Sequence, residues 1–162
     1  MAEGLSIDMN FNFADAPILK GLLFFVLLTV AACRDLKVRE IPNWIPFLLL
    51  CTGFIEIHPL NSCLGLVLTG LPYFLAAVLV RRGDGIGGGD WKLMSACGFV
   101  LGVWGGILQS VMSLTLAVLS GCVVSLVRKK AIKEIRLPLA PFFCAGGILT
   151  YAVLTFSAAF LC

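Results

Sequence analysis

Charged side chains are scarce in this sequence. Asp, Glu, Lys and Arg make up 13% of the 162 residues, whereas 60% are hydrophobic, and the mean hydropathy is +1.04. A soluble domain of this length is about one quarter charged. The composition therefore excludes an ordinary soluble domain and indicates one compact membrane domain, with no room for a second sizeable one.

Several kinds of functional motif are also missing. The chain has a single histidine, His58, and its seven cysteines form no Cys-x-x-Cys pair, so a zinc site is not expected. No Gly-x-x-x-x-Gly-Lys-Ser/Thr phosphate loop is present, and no basic stripe is interleaved with aromatic residues. We therefore expect no cofactor, no metal and no nucleic-acid partner.

The apolar residues fall into six runs, each close to the length that a membrane-spanning helix needs. The predicted spans are 18–33, 41–57, 62–80, 91–106, 107–127 and 138–161. Only "VWGG", residues 103–106, joins the fourth and fifth spans, which predicts a tight hairpin there. Residues 1–17 are acidic and lack the basic start of a signal peptide, so they are expected to form an external tail before a membrane domain at 18–162.

The basic residues are distributed asymmetrically between the connections. Eleven of the twelve lie in or beside three connections, and Lys20 is the exception. The eleven are Arg34, Lys37, Arg39, Arg81, Arg82, Lys92, Arg128, Lys129, Lys130, Lys133 and Arg136. Under the positive-inside rule these connections are cytoplasmic. The predicted fold is thus an all-α membrane protein with six transmembrane helices and both termini outside.

Four carboxylates lie at the predicted cytoplasmic ends of the spans: Asp35, Glu40, Asp84 and Asp90. Asp35 directly follows the first span, and Asp90 directly precedes the fourth. Each could have a purely structural role: Asp35 could pair with Arg34 or Arg39, and Asp90 could cap a helix. Taken together, two carboxylates at one membrane depth can share a proton and hydrolyse a peptide bond. That chemistry requires the cytoplasmic ends of spans one and four to pack facing each other.

The stretch "DGIGGGDWKLMSACG", residues 84–98, places four glycines just before Asp90. Glycine has no side chain to block the approach of another backbone. An extended peptide substrate needs such access, although the same residues would also suit a simple tight turn. His58 is predicted on the other side of the membrane, so a Ser-His-Asp or Cys-His site lacks its base here.

Three separated segments resemble motifs of the type IV prepilin peptidases, membrane aspartic proteases of the Gly-x-Gly-Asp class. The segments are "DLKVREIPNWI" from Asp35, "DGIGGGDWKLMSACG" from Asp84 and "LPLAPFFCAGG" from Leu137. The resemblance implies that Asp35 and Asp90 are the catalytic pair. It also implies an active-site role for a set of supporting residues: Pro42, Asn43, Asp84, Gly87, Gly89 and Lys92.

By the same resemblance, the substrates are prepilin-like proteins whose short basic leader is removed at the cytoplasmic face of the inner membrane. Larger members carry an extra cytoplasmic region, often with Cys-x-x-Cys pairs, that is linked to N-methylation. The connection from span one to span two is short here, so the chain resembles the peptidase-only branch that serves Flp-type (tight-adherence) pili. The implied partners are prepilin substrates, the lipid bilayer and the pilus assembly machinery.

Alternatives remain open at this point. Archaeal preflagellin peptidases form another short branch of the family. A small ion-coupled transporter or channel would also place carboxylates at the ends of apolar helices, although the six spans show no obvious repeat. A peptidase fold without activity is the third alternative.

Overall fold

The fold is built from α-helices. The computed structural model describes residues 16–55, 58–79, 88–129 and 138–161, and every regular element within them is an α-helix. The helices are α1 (Ala16–Val38), α2 (Trp44–Gly53), α3 (Pro59–Leu79), α4 (Gly88–Arg128) and α5 (Ala140–Leu161). The predicted all-α class is confirmed.

Helix α4 consists of two arms that meet at Gly102, whose backbone is non-helical (φ 72°, ψ −173°). A Cβ atom built on Gly106 would lie 3.0 Å from the Cα atom of Gly98. In a straight helix, eight residues span about 12 Å, so the second arm folds back along the first. The predicted hairpin exists, but its turn is at Gly102, and residues 103–106 are helical. Only a glycine adopts this backbone region readily, which explains where the chain reverses.

Helix α2 is shorter than the predicted span 41–57. It has ten residues and is followed by a turn at Phe54 and Ile55. Pro42 disfavours helical backbone at the preceding residue, so the helix starts later than predicted. Pro46 lies in the first turn of α2, where no intrahelical N–H bond is lost.

Two described helices, Pro59–Leu79 and Gly88–Val127, are long and apolar enough to cross a membrane. The helix α2 and the stretch Ala140–Leu154 are apolar but shorter. Large apolar side chains are exposed along the bundle, for example Leu60 and Trp104, both about four-fifths exposed. Exposed apolar surfaces of this kind are typical of proteins that contact a membrane or another protein.

Helix α4 is central to the packing. It contacts α2, α3 and α5, while α1 packs against α5 and α2. The core of the bundle includes Phe24 and Leu28 of α1, Leu93 and Met94 of α4, and Phe143 of α5. Among the described residues, the principal neighbours of α1 are α5 and α2, so the first and fourth spans are not each other's main packing partners along their lengths.

Candidate active site

Asp35 lies in the last turn of α1 and is 7% exposed. Its Oδ2 atom accepts a hydrogen bond of 2.9 Å from the backbone N–H of Ala140, the first residue of α5. A helix N-terminus carries partial positive charge and stabilises a carboxylate. Among the described residues, the Asp35 carboxylate therefore binds the N-terminus of α5 and does not form the ion pair with Arg34 or Arg39 that the sequence also allowed.

Asp90 lies in the first turn of α4 and is 8% exposed. Gly88 and Gly89 precede it within the helix. Asp90 is therefore not the capping residue that the alternative interpretation required. Its charge still lies where the helix dipole favours an anion.

Both aspartates line one cavity of about 370 Å³. The other lining residues are Arg39, Glu40 and Ile41 from the α1–α2 connection, with Gly88 and Gly89 from the start of α4. The two aspartates come from different helices, so tertiary packing alone unites them. The structure thus brings together at one cavity the two residues that sequence reasoning selected.

Gly89 permits a close approach between two segments of the site. A Cβ atom at this position would lie 2.9 Å from Cβ of Ile41 and 3.4 Å from its carbonyl oxygen. A side chain here would push the start of α4 away from the α1–α2 connection. Gly88, by contrast, faces open space, since a Cβ atom added to it would have nothing within 4 Å.

Three of the predicted supporting residues make hydrogen bonds at the N-termini of α2 and α4. The Nζ atom of Lys92 donates a 3.0 Å hydrogen bond to Oδ1 of Asn43. The carbonyl of Pro42 accepts a hydrogen bond from the N–H of Ile45 at 3.1 Å. The contact between Lys92 and Asn43 joins the α1–α2 connection to the first turn of α4. Asp84 and Gly87, two other supporting residues, lie outside the described residues.

Sequence reasoning missed several parts of the site. The donor at Ala140 is a backbone group, so its residue type gives no signal. Arg39 has a left-handed backbone (φ 55°) and donates its N–H to the carbonyl of Asp35 at 3.0 Å, which ends α1 beside the cavity. The part of the chain that the structure describes holds no group of three or more His, Cys, Asp or Glu side chains suited to a metal ion.

The type IV leader peptidase family matches residues 22–127 of the chain. A prepilin leader peptidase/N-methyltransferase of Bacillus subtilis (strain 168) is 35% identical over 138 residues. That alignment covers 81% of this chain and 54% of the relative, so the chain spans about half the length of the curated relative that it matches. No solved structure gives a significant match.

The family match includes both aspartates and the glycine-rich stretch between α3 and α4. The resemblance drawn from the three sequence motifs is confirmed by this match and by the similarity to the Bacillus relative. The protein therefore belongs to the type IV leader peptidase family.

Proposed function

We propose that this protein is an aspartic endopeptidase of the membrane that removes the short basic leader of prepilin-like substrates, of which Flp-type pilins are the best candidates. One observation carries the proposal: two nearly buried aspartates from separate helices line the same cavity. Membership of the leader peptidase family gives the substrate class. No cofactor is needed for this chemistry.

Asp35 and Asp90 act as a pair that shares one proton. The ionised carboxylate takes a proton from water, whose oxygen bonds to the carbonyl carbon of the scissile peptide. The protonated partner donates a hydrogen bond to the carbonyl oxygen. The aspartate that took the proton from water then passes it to the leaving nitrogen as the C–N bond breaks, so the pair regains its single shared proton. Each aspartate lies at a helix N-terminus, Asp35 through the N–H of Ala140 and Asp90 in the first turn of α4, so both positions favour the ionised form and the pair shares its one proton.

The substrate enters the site as extended backbone. Gly88 leaves open space at the cavity edge, and Gly87 and Gly89 on either side of it add no bulky side chain. Lys92 and Asn43 hold the two helix starts together, and Pro42 accepts the N–H of Ile45 at the start of α2. Asp84 supports catalysis without taking part in it, so the Asp84→Asn variant retains measurable cleavage.

The orientation follows from the distribution of charge. The chain crosses the inner membrane six times, with the arms of α4 counted separately, and both termini lie outside. The basic connections and the two aspartates face the cytoplasm, where a prepilin leader emerges. Single cysteines introduced at 128–136 of a cysteine-free variant test this topology: labelling by an impermeant reagent from the outside would overturn it.

Cleavage of a purified prepilin tests the activity. The protein is reconstituted in lipid vesicles with an Flp-type prepilin, and the substrate mass is measured by mass spectrometry. We expect the loss of the leader with the wild type and an intact substrate with Asp90→Asn. An archaeal preflagellin is the second substrate tested. If both leaders stay intact with the wild type, a transporter or an inactive peptidase fold becomes the better explanation.

A further inference from the structure

Gln109 is a buried amide in an apolar part of α4. Its side chain is fully buried, and its Nε2 atom donates a 3.0 Å hydrogen bond to the carbonyl oxygen of Phe143. Its Oε1 atom has no hydrogen-bond partner among the described residues. A half-satisfied buried amide costs stability, whereas methionine has a similar length and no such cost. Gln109 is therefore a candidate for a functional role.

The acceptor of this hydrogen bond lies close to the candidate catalytic pair. Phe143 is in the first turn of α5, three residues after Ala140, whose N–H binds Asp35. The N–H of Phe143 is bonded to the carbonyl of Leu139 at 3.1 Å. The ring of Phe143 stacks edge-on against Tyr73 of α3, with 5.6 Å between ring centroids. The first turn of α5 is thus held both by α3 and by Gln109.

Two glycines of α5 provide the room for this contact. A Cβ atom on Gly147 would lie 3.0 Å from Nε2 of Gln109, and one on Gly146 would lie 3.1 Å from the Gln109 carbonyl oxygen. A larger residue at either position would separate α5 from the second arm of α4. The close approach of the two helices is what lets the amide reach the carbonyl of Phe143.

We propose that Gln109 is a positioning residue for the aspartate pair. It fixes the first turn of α5 in depth and rotation, so that the N–H of Ala140 points at Asp35. Gln109 touches neither the substrate nor the reacting atoms and acts through α5. The assignment of a catalytic role to Asp35 rests on the proposed function, but the positioning of α5 does not.

The Gln109→Met variant removes the hydrogen bond and keeps the side-chain length. Ser113→Ala is the matched control, because Ser113 is also fully buried, lies one turn further along α4 and contacts α5 at Gly146. Its hydroxyl has no hydrogen-bond partner in the described part of the chain. Hydrogen exchange followed by mass spectrometry is measured on peptides that cover 138–147 and, for comparison, 59–79.

We expect Gln109→Met to speed exchange in 138–147 about tenfold and to leave 59–79 unchanged, since only a local opening becomes easier. Its kcat for prepilin cleavage should fall about tenfold with little change in KM. Ser113→Ala should resemble the wild type in both exchange and kinetics.

Two results would overturn the proposal. One is an unchanged exchange rate in 138–147 for Gln109→Met. The other is an equal acceleration of all peptides, which would indicate general destabilisation. If exchange responds as expected but the wild type cleaves no prepilin, the positioning of α5 stands and the proposed function fails.

Discussion

The two ends of the helix bundle differ in the space that surrounds their glycines. At the aspartate end, defined by the cavity that Asp35 and Asp90 line, Gly88 faces open space. At the bend end, defined by Gly65, Gly98 and Gly102, added Cβ atoms would meet the backbone or side chains of neighbouring helices. The aspartate end, here called the open end, has free space at Gly88 although Gly89 approaches Ile41 closely, whereas at the bend end, the closed end, all three glycines contact neighbouring helices.

Contacts between α3 and α4 near the closed end help to fix the position of the helices that form the open end. Small residues let helices approach closely enough for van der Waals contact and hydrogen bonds in an apolar environment. The single hydroxyl proton of Thr69 is shared between the carbonyls of Gly65 and Met94, whose oxygens lie 2.6 and 3.2 Å from Oγ1. These contacts fix α3 against the first arm of α4. These contacts help to hold the start of that arm, with Asp90, in place beside the cavity.

The largest effect is expected at the open end. Asp35→Asn and Asp90→Asn keep the size of the side chains and remove the ionisable acids. Each variant should lower prepilin cleavage by about three orders of magnitude or more, and the double variant should be no worse than either alone, because the pair acts as one unit. Cleavage is measured by the mass of the substrate after incubation in vesicles.

Folding controls make that result interpretable. Both variants should insert into membranes and unfold thermally near the wild-type temperature, since the bend end is unaltered. An Asp35→Asn variant that cleaves at nearly the wild-type rate would refute the aspartate pair. Asp35 would then serve only to bind the N-terminus of α5.

The second prediction compares one glycine from each end. An alanine methyl at Gly98 would meet the hydroxyl of Thr69 and the backbone of Gly65, whereas at Gly88 nothing lies within 4 Å. Gly98→Ala should destabilise the fold by about 3 kcal/mol, the upper range for overpacking. Gly88→Ala should change stability by less than about 0.5 kcal/mol. Thermal unfolding in detergent, followed by tryptophan fluorescence, measures both; equal losses of stability would show that the two ends do not differ as described.

The sequence predicted the helices better than their junctions. The six apolar runs correspond to six helical segments among the described residues when the arms of α4 are counted separately, because long apolar runs leave a strong compositional signal. The sequence predicts the turn at residues 103–106, whereas the chain reverses at Gly102. Several glycines occur in this stretch, and the one that reverses the chain is selected by packing against Asn61 of α3, which no local pattern reveals.

In the candidate site, too, the sequence predicts some features and not others. Both aspartates could be selected from sequence, since carboxylates beside apolar runs are rare and costly. The shared cavity and the donor at Ala140 depend on α5 lying beside α1. That contact joins residues 105 positions apart in the chain. A backbone N–H has no sequence signature, so only the fold could reveal it.

The third prediction concerns the turn at the bend end. The Oδ1 atom of Asn61 accepts a 3.1 Å hydrogen bond from the N–H of Val103, the first residue after Gly102. An N–H at the start of a helix arm lacks a partner within that arm, so the asparagine acts as a cap supplied by α3. Asn61→Ala should cost about 1 kcal/mol in the free energy of unfolding. Asn61→Asp keeps an acceptor oxygen and should restore most of the loss; an equal loss in both variants would argue against capping.

The smallest effect is expected from the contact between Lys92 and Asn43, which joins the starts of α4 and α2 beside the cavity. Both side chains are accessible to solvent, so their hydrogen bond contributes little to stability, about 0.5 kcal/mol or less. Its effect on cleavage should be larger than on stability, because it sets the distance between Asp90 and the α1–α2 connection. Lys92→Met and Asn43→Ala should each lower kcat/KM about threefold, which corresponds to about one weak hydrogen bond.

A double-mutant cycle separates this contact from other roles of the two residues. If the hydrogen bond is what matters, the variant with both substitutions should be about threefold slower than the wild type, since the second change removes nothing further. A loss of about ninefold would mean that Lys92 and Asn43 act independently, for example through separate contacts with the substrate. In that case the hydrogen bond between Lys92 and Asn43 would not be what positions the start of α4 at the cavity.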